Sequence, residues 1–234
     1  MNLLLRFSKF CRLVGISALL LCSSFIAKSQ TDTANIVLQD ASEEVHYELT
    51  PGTQFVHVRQ FTIKEYKALK RPATITVSDN YDNLKRIDRV EYSINGRRQR
   101  HLTPEYAQRG DTNAAYSDKR ICYFEVPFAK KGSQAKVKWT ATIQDPRYHN
   151  RIDFLDDFFT EKKTISVAVP AWLDLDIEEH NLLSYDMELQ KEVKDDEIIW
   201  TYSIRNAQSA KSVLDLTGND LDLPYLLLVV KNVQ

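Results

Sequence analysis

Cysteine is scarce in this chain, which has three cysteines in 234 residues. Cys11 and Cys22 precede Gln30, the predicted first residue of the mature protein, so Cys122 remains alone. A single cysteine cannot form an intrachain disulfide, which excludes the disulfide-stapled class of small exported domains. The mature chain of about 205 residues is long enough to be held together by a hydrophobic core instead.

The chain also lacks an excess of positive charge. Positions 1–29 contain four basic residues and no acidic residue, which leaves 27 basic and 32 acidic side chains in the remainder, a net charge of −5. Proteins bind phosphate backbones through a surplus of Lys and Arg, so nucleic acid is not expected as a partner. The five histidines show no His-x-x-x-His spacing. Without a cluster of ligands, neither a metal site nor another cofactor is predicted.

The N-terminus has the three-part layout of a secretory signal peptide. A basic start precedes an apolar run over 13–26, and Ala27 and Ser29 supply small residues at positions −3 and −1 of a cleavage site. The basic residues are Arg6, Lys9 and Arg12. We therefore predict a signal peptide over 1–29, cleavage before Gln30, and a periplasmic or extracellular location with no membrane span after cleavage.

Two other interpretations of this segment remain open. The segment could be retained as an uncleaved anchor, although its apolar run is short for a membrane span of about 20 residues. It could also belong to a lipoprotein modified at Cys22, but bulky Leu21 stands where a small residue is needed. Signal cleavage followed by one domain over 30–234 is the organisation that we predict.

Apolar residues in the mature chain recur with a period of two, which is typical of strands with one buried face. The clearest alternation lies in 136–143, 164–169 and 197–205. Further strands are expected at 35–39, 44–49, 54–64, 74–78, 87–94, 119–126, 185–193 and 226–231. No long helical pattern occurs; 78–84 is the best helical window, and 106–115 is expected to be a loop or one short turn. This pattern predicts an all-β fold, a β-sandwich of mostly antiparallel strands.

Turn residues separate the predicted strands. Asn95-Gly96 is typical of a type I′ hairpin turn, because both residues tolerate positive φ. Pro51-Gly52, Lys131-Gly132 and Asp195-Asp196 mark other turns. The strongly basic stretch after Asn95-Gly96, which contains Arg97, Arg98 and Arg100, is interpreted as a solvated hairpin tip rather than an anion site.

The phase of the alternation predicts which large side chains form the core. Trp139, Ile165 and Trp200 fall on apolar faces and are expected to be buried. The apolar run 226–230 is expected to be the final, paired strand of the sandwich. The alternative is an exposed apolar edge left at a junction with a missing domain.

Candidate catalytic and metal-binding groups are few. Cys122, His149 and either Asp153 or Asp156 follow the chain order of a cysteine–histidine–aspartate triad. Cys122 nevertheless lies in an apolar strand with no helix after it, which favours a structural thiol. Acidic residues at 174–179 alternate along a strand and indicate a solvated face, and the 217–222 loop lacks the spacing of a calcium-binding EF-hand. No catalytic, cofactor-binding or metal residue is therefore predicted.

Three segments in order carry a resemblance to a known family. The strand 137–145, the aromatic and acidic turn 156–162 and the strand end 167–173 resemble those of domain of unknown function 3857. That domain precedes a transglutaminase-like core in exported proteins of Gram-negative bacteria. The resemblance implies a β-sandwich without established activity, because the catalytic residues of such proteins belong to the separate core.

Two functions follow from the resemblance as hypotheses. The first is a non-catalytic accessory or binding domain that holds a peptide, glycan or protein partner in the cell envelope. The alternative is the N-terminal portion of a transglutaminase-like enzyme, of the cysteine peptidase or transamidase class, whose core would begin near 223–226. The chain would then be a truncated gene product rather than a stand-alone domain.

Overall fold

Fourteen strands dominate the computed structural model of the chain, which describes residues 35–53, 55–99, 104–108, 120–148, 150–219 and 222–233. The predicted signal peptide, its cleavage site, Arg100 and His149 lie outside the described residues. The described residues belong to one unit, Asp32–Gln234. Their helices are all too short to cross a bilayer.

The strands are β1 (Ile36–Leu49), β2 (Val56–Ala68), β3 (Ala73–Tyr81), β4 (Lys85–Ile94), β5 (Arg97–Arg98), β6 (Glu105–Gln108), β7 (Arg120–Phe128), β8 (Gln134–Ile143), β9 (Arg151–Asp153), β10 (Thr160–Pro170), β11 (Leu173–His180), β12 (Met187–Lys194), β13 (Glu197–Ala207) and β14 (Tyr225–Val233). One α-helix, α1, spans Ala210–Thr217, and short 3-10 helices span Pro146–Tyr148 and Leu182–Ser184.

These strands form one large sheet and two small ones. The large sheet has eight strands in the order β12-β13-β10-β1-β2-β8-β4-β5. The small sheets have the orders β11-β14-β9 and β3-β7-β6. Only β1 and β10 pair in parallel among these strands. The predicted all-β, mostly antiparallel sandwich is confirmed.

Both small sheets cover the same face of the large sheet. Val58 of β2 packs in a core with Leu226 of β14, whereas Tyr66 of β2 packs in a second core with Val126 of β7. Val58 and Tyr66 are an even number of residues apart, so their side chains share a face. Eight residues of extended strand separate them by about 26 Å. The long strands therefore carry two cores, one near each end.

A β-bulge in β1 keeps this face continuous. The register with β2 shifts between Leu38 and Asp40. Leu38 and Ala41 are both buried in the second core, although they are three residues apart. The extra residue of the bulge restores the alternation, so Val45 further along β1 reaches the first core on the same face.

The helical expectation at 78–84 is wrong. Strand β3 runs through Tyr81 and pairs with β7, which buries Ile75 and Val77. Within 106–115, the described residues belong to β6, a strand rather than a loop. The helix α1, which was not predicted, begins after Ser209, whose Oγ accepts the N–H of Ser212 at 3.2 Å. It ends at Gly218, which has φ +70°.

The predicted type I′ turn is confirmed. Asn95 and Gly96 have φ values of +48° and +77°, and they connect β4 to β5. Asp195, with φ +52°, turns the hairpin from β12 to β13. Gly132 also has positive φ, but it connects β7 to β8, which belong to different sheets. That turn is therefore a crossover between sheets.

The predicted burial of Ile165 and Trp139 is confirmed, whereas Trp200 is less buried than predicted. Ile165 is fully buried, and Trp139 is 8% exposed in the second core. Trp200 packs against the first core but is only half-buried, and Lys191 covers part of its ring, with Nζ 4.2 Å from the ring centroid. Strand β14 is paired on both sides, by β11 and β9, which confirms its place as an internal strand.

Candidate functional site

The structure does not bring the described members of the proposed triad together. Cys122 lies on β7 in one small sheet, and Asp153 ends β9 in the other. Asp153 accepts a hydrogen bond from Arg151 Nε at 2.8 Å. Burial raises the pKa of the Cys122 thiol, and Tyr106 of the adjacent strand hydrogen-bonds it. A nucleophilic cysteine needs the opposite shift of its pKa.

The acidic segments occupy solvated positions. Asp174, Asp176 and Glu178 point outward on β11, and Asp176 pairs with Lys231 at 2.8 Å. Gly218 caps helix α1, which explains the glycine of the 217–222 loop; residues 220–221 of that loop lie outside the described residues. In the described ranges, no three His, Cys, Asp or Glu side chains come close enough to hold a metal ion.

A charged cluster that was not predicted from the sequence lies between the two cores on the covered face of the large sheet. We call it the polar centre; it consists of Lys64, Asp156 and Lys163. Asp156 forms ion pairs with Lys64 and, at 3.4 Å, with Lys163. Lys163 Nζ also donates to the backbone oxygen of Asp153 at 2.8 Å. The exposed fractions of the side chains are 10% for Asp156, 18% for Lys64 and 6% for Lys163.

Strand register explains why these residues meet. Ala41 of β1 stands opposite Lys64 of β2 on one side and Lys163 of β10 on the other. Because the side chain of Ala41 is small, space remains between Lys64 and Lys163. The side chain of Asp156, from the turn between β9 and β10, occupies this space. The backbone oxygen of Asp156 accepts the N–H of Ala210 at 2.8 Å, which also ties helix α1 to this turn.

The turn that carries Asp156 contacts both cores. Phe154 and Leu155 pack in the first core and Phe158 packs in the second. The ring of Phe158 meets Tyr66 edge to face at 5.7 Å. One short segment thus joins both cores and supplies the anion between them.

The electrostatics of the polar centre favour its charged state. Burial alone would raise the pKa of Asp156, but the charges of Lys64 and Lys163 outweigh burial and hold the pKa well below its usual value. Burial alone would lower the pKa of Lys64, and the charge of Asp156 reverses that effect. A buried charge that is paired on both sides holds parts of a structure together but has little freedom to exchange protons.

One signal in the sequence could have revealed the polar centre. In β2, Gln60, Thr62 and Lys64 occupy the same phase as the buried residues Val58 and Tyr66. Polar residues at core positions require buried partners. The partner on the segment 153–160 could not be identified from alternation, because that segment is mostly irregular.

Two of the clefts on the described surface lie next to gaps in the described part of the chain. A cleft of about 370 Å³ lies between the β4–β5 hairpin and β7, lined by Tyr92, Arg98 and Phe124 among others. A wider cleft of about 760 Å³ lies between the 3-10 helix Leu182–Ser184 and α1. Their linings include residues that flank those gaps in the sequence, Gln99 and Pro104 for the first cleft and Asp222 for the second.

No family model matches the chain, and no curated protein matches it. Among solved structures, a proposed protease from Parabacteroides distasonis superposes with a TM-score of 0.55 at 10% identity, covering 83% of this chain and 40% of that protein. A proposed nutrient-binding protein from Legionella pneumophila gives 0.46 at 8% identity, covering 83% and 67%. An M1 zinc metallopeptidase from Deinococcus radiodurans gives 0.37 at 12% identity, covering 72% and 39%. At these identities the likeness concerns the fold alone, and the chain spans less than half of the first protein.

Proposed function

We propose that this chain is an exported, non-catalytic β-sandwich accessory domain that binds a partner in the cell envelope. The layout of residues 1–29 supports export. The order of the segments 137–145, 156–162 and 167–173 supports kinship with domain of unknown function 3857. A periplasmic or extracellular location belongs to the same proposal.

The observation that carries the accessory role is the partial coverage of a longer protein. Most of this chain superposes on 40% of the Parabacteroides protein. A fold that forms one part of a larger chain can serve a neighbouring domain or subunit. Since that protein is described as a proposed protease, the alternative, the front part of a transglutaminase-like enzyme, remains the competing proposal.

The chemistry of the described residues also supports the accessory role. The Cys122 thiol is buried with a raised pKa, and Asp156 is neutralised by two lysines. Both groups contribute to packing in their present positions. Each would need a rearranged neighbourhood to act as a nucleophile or base.

The deciding experiment uses the full chain, exported from a Gram-negative host and purified from the periplasm. We expect N-terminal mass analysis to find Gln30 as the first residue. We expect no amidase, peptidase or transamidase turnover above that of the Cys122→Ser variant. Turnover that Cys122→Ser abolishes would refute the non-catalytic role, and retention of Met1 would refute cleavage.

Binding is tested separately by in situ cross-linking of the tagged chain. The accessory proposal expects cross-links to one envelope protein or to peptidoglycan, mapped to a single surface of the large sheet. A mixture of cross-links that involves all surfaces equally, as for an unrelated periplasmic control, would contradict it.

A further inference from the structure

Strand register gathers basic side chains near the β5 edge of the large sheet. On the face opposite the two cores, Lys138 of β8 stands beside Glu91 of β4, and Lys136 stands beside Ser93. Ser93 in turn stands opposite Arg98 of β5. Arg98 and Lys136 are 38 residues apart in the sequence, so only the pairing of β4 with β5 and β8 brings them together.

These residues line a small, open pocket, which we call the β4–β8 pocket. Its volume is about 170 Å³, and its lining consists of Glu91, Tyr92, Ser93, Arg98, Lys136 and Lys138. All of these residues lie in the described part of the chain. Sites for whole organic ligands usually measure about 300–1,000 Å³. The pocket therefore suits a small charged group rather than a complete molecule.

Glu91 organises the arginines beside the pocket. Its Oε1 accepts a hydrogen bond from Arg98 Nη2 at 2.8 Å and pairs with Arg89. Lys136 Nζ lies 2.5 Å from Glu65 Oε1. Within the described residues, Lys138 has no carboxylate at ion-pair distance. Four cations thus face two carboxylates, which leaves a local charge of +2.

This positive charge stands out against the rest of the sheet. The opposite edge, formed by the β12–β13 hairpin, contains five acidic residues, Glu188, Glu192, Asp195, Asp196 and Glu197, against three basic residues, Lys191, Lys194 and Arg205. Residues 30–234 as a whole carry a net charge of −5. The two edges of the large sheet therefore carry charges of opposite sign, and an anion is attracted to the β5 edge.

We propose that the β4–β8 pocket binds the phosphoryl group of a phosphomonoester. Such a group carries a charge of about −1.5 to −2 at neutral pH, which matches the local charge of +2. Arg98, whose Nη2 donates to Glu91, offers its other N–H groups to the phosphoryl oxygens, and Lys138 and Lys136 supply point charges. The phosphoryl group can belong to a lipid headgroup or to a soluble ester. The site depends only on the register of β4, β5 and β8, so it stands independently of the proposed accessory role.

The test measures binding of the full exported chain to two probes. Glycerol 3-phosphate, titrated by calorimetry, represents a soluble ester. Vesicles of phosphatidylcholine with phosphatidic acid, compared with phosphatidylcholine alone, represent a lipid source. Binding to the first probe alone assigns a soluble ester, and binding to the second alone assigns a lipid; either result supports the pocket if the variants below behave as expected.

Two of the variants, Lys138→Gln and Lys194→Gln, each remove one positive charge, and the third keeps it. Lys138→Gln should weaken binding about tenfold, the loss expected for one charge-assisted contact. Lys194→Gln removes the same charge from the opposite edge and should change affinity by less than about twofold. Arg98→Lys keeps the charge but loses the fork, and should give a measurable loss. Equal melting temperatures for all variants show that the fold is intact.

Two results would overturn the proposal. The first is the absence of binding to both probes, or an equal loss in Lys138→Gln and Lys194→Gln. The second is concentration-dependent self-association in sedimentation that Lys138→Gln weakens and Lys194→Gln does not, since Lys194→Gln makes the acidic edge more negative. In that case the basic edge pairs with the acidic edge of a second copy, and the pocket is part of a contact between chains.

Discussion

Substituting Asp156 by Asn tests whether the polar centre holds the two cores together. The substitution keeps the shape of the side chain but removes the charge between Lys64 and Lys163. Removing one partner of a buried ion pair typically costs about 3–5 kcal/mol, because the remaining charge stays buried. Lys64 retains some exposure to solvent, so we expect the low end, about 3 kcal/mol. For a domain of this size, that loss lowers Tm by roughly 6–12 °C.

The assay is urea unfolding followed by tryptophan fluorescence and circular dichroism. Asp157→Asn is the matched control: it removes the same charge one residue away, from an exposed side chain, and should change stability by less than about 0.5 kcal/mol. A triple variant, Lys64→Met with Asp156→Leu and Lys163→Met, should recover most of the lost stability, because it leaves no unpaired charge. Equal midpoints for Asp156→Asn and Asp157→Asn would refute the reasoning.

The same site predicts a pH dependence. The pKa of Asp156 is lower in the folded protein than its ordinary value of 3.8. A depressed pKa contributes stability that is present above the unfolded pKa and is lost as the pH falls below it. The free energy of unfolding of the wild type should therefore decrease between about pH 4 and pH 2 more steeply than that of Asp156→Asn. Parallel curves for the two proteins would contradict this.

Three further predictions concern burial. Trp139→Ala should destabilise the domain by about 3–5 kcal/mol in denaturant titration, and an unchanged midpoint would contradict its place in the second core. Cys122 should react with iodoacetamide at pH 8 far more slowly than a free thiol until the protein is unfolded, because burial raises its pKa; rapid alkylation of the folded protein would disprove this. Deleting 226–234 should abolish cooperative thermal unfolding, since β14 pairs with two strands. An unchanged Tm would show that β14 does not contribute to the stability of the domain.

Local sequence patterns were sufficient to predict most strands and the hairpin turn at Asn95-Gly96. Alternation identified β8, β10 and β13, because a half-buried strand imposes a period of two on its side chains. Asn95-Gly96 identified its turn, because positive φ at two successive residues favours these residue types. The pattern failed at 78–84, where pairing with β7 extends β3 through residues without a clear alternation. It also missed α1, whose eight residues are too few for a clear helical period.

The amino-acid sequence by itself determined the all-β class, the buried phases of Trp139 and Ile165, and the scarcity of cysteine that leaves the fold to its cores. These properties depend on residues close together in the chain. The tertiary structure alone decided that β1 pairs in parallel with β10, that two cores share one face, and that Asp156 meets Lys64 and Lys163. It also placed Arg98 and Lys136 on either side of Ser93. These arrangements depend on contacts between distant segments, whose register is set by packing and not by local propensity.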